Sequence, residues 1–184
     1  MNEDSKLEGA PPCAPQPGPV GAEAGPPRLS VRSHPAHPPV VQKGFLSIVV
    51  YVTVCTADRQ PILARPEVHA WLRQVWAKAA GWSVGRYILM PEHIHFFCAP
   101  SFADYPPLKK WVAYWKSLAA ARWPTPTDGK VWQRDCWDRQ LRREESYVEK
   151  WTYVRQNPVR AGLVKETEQW PYQGEMNTLM WHDK

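Results

Sequence analysis

The chain has 184 residues, of which 12% are aromatic and eleven are Trp, enough apolar bulk to close one core of ordinary domain size. Its net charge of +5 is unevenly spread: residues 105–165 hold thirteen Lys or Arg against six Asp or Glu, a local +7. Such a concentration calls for a polyanionic partner, most simply nucleic acid, with a surplus of solvated surface lysines as the plainer alternative, and no apolar run approaches the ~20 residues of a membrane helix.

Residues 1–44 contain no Phe, Tyr or Trp and ten of the twenty Pro. A segment of that composition cannot bury enough apolar surface to offset its ordering entropy, so a disordered Pro-rich tail is expected there. It opens on Glu3 and Asp4 and lacks a continuous apolar stretch, so a secretory signal is not expected. Cys13, Cys55, Cys98 and Cys136 form no C-x-x-C pair, and reduced thiols in a cytoplasmic protein are the expectation.

A folded domain is expected over 45–175, with 176–184 as a C-terminal tail. Its first strand is Leu46 to Cys55, rich in β-branched residues and so evenly apolar that cover on both faces follows. A polar turn leads to a helix opened by Pro66, whose Val68, Trp71, Leu72, Val75, Trp76 and Ala79 recur at helical spacing, with Gly81 as its stop. Trp82 to Met90 and His93 to Ala99 read as two strands separated only by Pro91 and Glu92, a connection that favours an antiparallel hairpin. Pro107 opens a second helix with a buried stripe of Leu108, Trp111, Val112, Trp115, Leu118 and Ala119; Lys109, Lys110 and Lys116 are placed on or near its outward side. After a loop over 124–130, Val131 to Gln133 and Trp137 to Leu141 suggest a short fourth strand. A last helix starts near Glu144 and stops near Asn157, because Pro158 disfavours helical geometry in the residue before it. The order βαββαβα predicts an α+β protein: a ferredoxin-like split βαβ antiparallel sheet, with helices on one face and a C-terminal helix that carries chemistry.

That chemistry is read from two places. In the third strand, alternation puts His93, His95 and Phe97 on one face and Ile94, Phe96 and Cys98 on the other. At roughly 7 Å between their Cα atoms, both imidazoles can reach one divalent ion; two hydrogen-bonded structural histidines are the competing reading. On the last helix, Tyr153 and Asn157 stand one turn apart on a common face. Tyr153 offers a phenolic oxygen able to attack phosphorus and Asn157 an amide oxygen able to ligate a hard cation, with Gln156 as a rival ligand. A packed aromatic and a turn-forming Asn are the alternatives.

Met90-Pro-Glu-His-Ile-His, with Tyr153-Val-Arg-Gln-Asn-Pro-Val-Arg-Ala-Gly-Leu-Val164 and Val131-Trp-Gln-Arg134 between them, resembles the bacterial REP-associated tyrosine transposases of the single-tyrosine HUH transposase superfamily. The resemblance spans roughly residues 45–173. It implies a metal-dependent endonuclease and strand transferase acting on single-stranded DNA beside hairpins, with His93, His95 and Asn157 as ligands for Mg²⁺ or Mn²⁺. Tyr153 would be the nucleophile, leaving a 5′-phosphotyrosine bond and a free 3′-OH. Expected partners are DNA hairpins with their flanking single strands, in the bacterial cytoplasm, to a monomer or a dimer. Lys109, Lys110, Lys116, Arg134, Arg139, Arg142, Arg143, Arg155 and Arg160 are the candidate contacts to the DNA backbone. A domesticated hairpin-binding protein that does not cut, and a hydrolase that activates water with Tyr153 structural, compete with this expectation.

Overall fold

The structure is a computed structural model that describes residues 48–127, 129–142 and 145–181. The expected N-terminal tail and Arg143 lie outside those residues. One antiparallel sheet orders the molecule, built of β1 (Val50–Cys55), β2 (Trp82–Leu89), β3 (His93–Pro100), β4 (Trp137–Gln140) and β5 (Gln173–Glu175) in the order β4-β1-β3-β2-β5. The first four strands follow the expected split βαβ arrangement. All six residues of β1 are buried, as its β-branched sequence requires of a central strand covered on both sides.

One layer is made by α1 (Pro66–Lys78) and α2 (Leu108–Ala121), whose stripes meet Val50, Val52, Val54, Ile94, Phe96 and Cys98. Trp76, Trp111 and Trp115 lean on Phe96 there at centroid distances of 5.9–6.1 Å. Large buried rings of this kind each stabilise the fold by roughly 1.5–3 kcal/mol relative to exposure. The hairpin between β2 and β3 closes on Met90, whose N–H donates to the His93 carbonyl.

The opposite face receives α3 (Tyr147–Arg155). Tyr147 and Val154 pack with Val49, Tyr51, Ile88, Phe97 and Leu141. Ser146 caps α3, its Oγ accepting from the Glu149 N–H at 3.1 Å, so the helix begins after a cap rather than at the acidic pair. α3 ends at Gln156, which keeps right-handed helical angles, and the one-turn α4 (Asn157–Arg160) follows at once, with Pro158 in a first turn that needs no N–H from it.

Three features were not expected. Strand β5 pairs with β2 through Arg86 with Glu175, Tyr87 with Gly174 and Ile88 with Gln173. Residues 176–181, anticipated as tail, dock on the sheet: Asn177 Nδ2 donates to the Val84 carbonyl at 2.8 Å, Trp181 Nε1 donates to the Glu145 carbonyl at 2.9 Å, and Leu179 is buried. Gly85 makes room for it, since a Cβ there would stand 2.6 Å from Leu179 Cγ. Lys116 is the third. It is buried rather than outward, and its ammonium donates to the backbone carbonyls of Gln133, Arg134 and Asp135. Its aliphatic stem follows the apolar stripe while three carbonyls replace water around the charge. Cys98 and Cys136 are free thiols.

Candidate active site

Strand alternation sends His93 and His95 to the α3 face together with Phe97, and the pairing of Thr53 with His95 and Cys55 with His93 seats them against β1. The two rings meet edge to face at 4.6 Å, with their Nε2 atoms 3.0 Å apart. Each outer nitrogen is engaged. His93 Nδ1 donates to Glu92 Oε1 at 2.9 Å, while His95 Nδ1 lies 2.8 Å from the Tyr51 hydroxyl and 2.9 Å from Thr53 Oγ1.

This arrangement controls protonation. Burial, then the charges of His93 and Arg160, holds the His95 imidazole well below its ordinary range. The hydrogen bond from His93 keeps the Glu92 carboxyl low against the opposing effect of burial. Burial raises the Tyr51 phenol, so the hydroxyl beside His95 stays protonated. Two buried imidazoles with converging Nε2 atoms, each oriented by a carboxylate or hydroxyls on its far side, are a donor set that fits a divalent cation. Among the described residues no group of three or more His, Cys, Asp or Glu completes a ligand set, so a further donor would be an amide or the substrate.

The junction of α3 and α4 lies on the same side of the sheet as the pair, where α3 packs through Val154. Tyr153 is 46% exposed, and Arg160 lies over its ring at 4.2 Å. Arg160 Nη2 donates at 2.7 Å to the Tyr153 carbonyl and at 2.7 Å to Asn157 Oδ1. Both Tyr153 and Arg160 act by charge on Tyr51, and Arg160 on His95, which puts the junction in the electrostatic neighbourhood of the histidines. Asn157 thus shares the junction but spends its amide oxygen on Arg160; Gln156 is exposed.

The other basic residues divide by location. Arg155 pairs with Glu168 at 2.9 Å and Arg139 with Glu145 at 2.8 Å, while Arg134 and Arg142 are exposed. Lys109 and Lys110 are exposed on α2, in the layer across the sheet from the histidines. Tyr51, Thr53 and Glu92 escaped the sequence reading. The signal for the first two was present: in Val-Tyr-Val-Thr-Val the polar residues alternate onto one face of β1.

No family model matches the sequence, and no curated protein matches it. Nine chains of solved structures do match. One, described as a REP-associated tyrosine transposase bound to a REP hairpin, superposes with a TM-score of 0.57 at 19% identity, covering 69% of this chain and 75% of that one. Another, described as a candidate transposase from Deinococcus radiodurans R1, gives a TM-score of 0.45 at 17% identity over 62% and 93% of the two chains. The chain therefore has the fold of a tyrosine transposase structure. Among the described residues no helix is long and apolar enough to cross a membrane.

Proposed function

We propose that this protein is a tyrosine transposase of the REP-associated kind, a metal-dependent single-stranded DNA endonuclease and transesterase acting beside DNA hairpins. The observation that carries the reading is the convergence of His93 and His95 Nε2 at 3.0 Å, with both outer nitrogens occupied, on the sheet face that also receives α3 with its exposed Tyr153. At rest the two Nε2 atoms share one hydrogen bond, and a Mg²⁺ or Mn²⁺ ion would take the place of the shared proton between rings already oriented from their far sides. A cation held by His93 and His95, with Asn157 or Gln156 as further ligand, would act as a Lewis acid on a phosphodiester oxygen.

In the proposed reaction Tyr153 Oη loses its proton to solvent or a nearby base and attacks phosphorus. The Oη–P bond forms and the P–O3′ bond breaks, so the 5′ side stays on the protein and the 3′ oxygen takes up a proton. One phosphodiester replaces another, which allows reversal without a nucleotide cofactor. Arg160 lies over the Tyr153 ring at 4.2 Å and so places a positive charge beside the proposed nucleophile.

A second reading has one observation in its favour. Asn157 Oδ1 is occupied by Arg160, which leaves the ligand set short, as a hairpin-binding protein that no longer cuts would tolerate. The test is incubation of labelled hairpin oligonucleotides carrying randomised single-stranded flanks with Mg²⁺ or Mn²⁺. A covalent protein–DNA adduct is expected, absent in chelator and absent for Tyr153→Phe. Hairpin binding without any adduct favours the non-cleaving protein, and cleavage that survives Tyr153→Phe favours activated water.

A further inference from the structure

Directly after β1 the chain turns through Asp58 and Arg59, whose φ angles are +50° and +55°. Side chains other than Gly, Asn and Asp seldom occupy this left-handed region, and Arg has no short polar group to ease it. Strain of this sort persists only where the surroundings over-determine it. Here they do. Ala57 N–H donates to the Val131 carbonyl and Leu63 N–H to the Pro91 carbonyl, while Thr56 N–H donates to the Glu92 carbonyl. The Thr56 hydroxyl spans the Gln60 and Glu92 carbonyls at 2.9 and 3.0 Å. The turn is thereby fastened to the segment that leads into His93.

The side chain delivered by this turn is unfinished. Arg59 Nη1 is sealed from solvent and has no hydrogen-bond partner among the described residues. A buried guanidinium N–H without an acceptor is costly, and its planar fork is shaped for carboxylate or phosphate. Glu92, which feels the charge of Arg59, gives its Oε1 to His93 instead. Strained backbone, an orphaned donor and a place beside the histidine pair point to a ligand that arrives from outside.

We propose that Arg59 is a phosphate-binding residue of the candidate site, donating to a non-bridging oxygen of the DNA phosphodiester that enters at His93 and His95. The inference rests on the transesterase reading for its ligand, but its test has an arm that does not. Binding of the full-length protein to a fluorescent hairpin oligonucleotide with a single-stranded flank is followed by anisotropy across a salt series. Arg59→Gln is expected to weaken binding at least fivefold and to reduce the log–log salt slope by about 0.7, the value for one single-strand phosphate contact. Arg59→Lys recovers part of the slope. Adduct formation in Mn²⁺ falls at least tenfold for Arg59→Gln. Arg59→Gly, which relieves the backbone, melts at or above the wild-type temperature while sharing the binding defect. An unchanged salt slope for Arg59→Gln, or a lowered melting temperature for Arg59→Gly, overturns the proposal. A wild-type protein that forms no adduct defeats the transesterase reading alone, because the salt slope still decides the role of Arg59.

Discussion

Tyr51 carries more of the histidine site than its distance in sequence implies. Its hydroxyl and that of Thr53 hold His95 Nδ1, and the ring stacks on the imidazole at 5.5 Å. Groups that orient a metal-binding His typically contribute 10–100-fold in affinity. Tyr51→Phe keeps the stack and one hydroxyl partner, so a loss of about tenfold in Mn²⁺ affinity is expected by calorimetric titration; unchanged affinity would show that Thr53 suffices. Protonation gives a second residue-scale prediction. His95 is held neutral by burial when folded but titrates normally when unfolded, so below about pH 6.5 the unfolded chain binds the extra proton. Stability in metal-free buffer therefore rises with pH and is lost as pH falls below the unfolded value, by up to about 1.4 kcal/mol per pH unit. Urea unfolding at pH 7.5 and 5.5 measures it, and His95→Asn should flatten the dependence. The histidine pair itself was legible because strand alternation needs only the sequence. Its supports Tyr51 and Thr53 were not singled out, because pairing register between strands forty residues apart is a property of the sheet.

At the scale of elements, the α2 stripe and the β2–β3 hairpin follow from periodicity and punctuation alone. Lys116 departs from that logic. Periodicity puts a lysine flanking the stripe on or near the outward side, yet the loop over 131–136 turns three carbonyls towards it, and no local pattern announces that loop. Trp132 completes the fastening by donating from Nε1 to the Lys116 carbonyl at 3.1 Å. Lys116→Met preserves length and stem but strands those carbonyls, for an expected loss of about 1–3 kcal/mol in urea unfolding. A neutral result would mean that water replaces the ammonium freely. The short β5 and the docked 176–181 segment were equally hidden: Gln-Gly-Glu has no strand propensity, and pairs because Tyr87 and Ile88 present an open edge.

For the whole molecule, charge was legible as a sum and illegible as a surface. The excess in residues 105–165 is divided by the sheet, with Lys109 and Lys110 behind it, Lys116 inside, and Arg155 and Arg139 partly committed to acids. Arg134, Arg142 and Arg160 are exposed among the proposed DNA contacts. Each of Arg134→Ala and Arg142→Ala is expected to lower the salt slope of hairpin binding by about 0.9, the value for one duplex phosphate contact. Lys110→Ala on the far layer should leave the slope unaltered, and a uniform response of all three would place DNA elsewhere. The antiparallel pairing of β1 with β3 has one further consequence. Thr53 faces His95 and Val54 faces Ile94, and a slip of one residue along β3 would exchange their faces, carrying both imidazoles into the Trp-lined layer. The contact between the two Nε2 atoms on the Tyr153 side thus exists in one alignment only. A refolding chain trapped out of step would be blind to the cation proposed for this pair, so divalent-ion titration during refolding would count the molecules whose central strands have aligned.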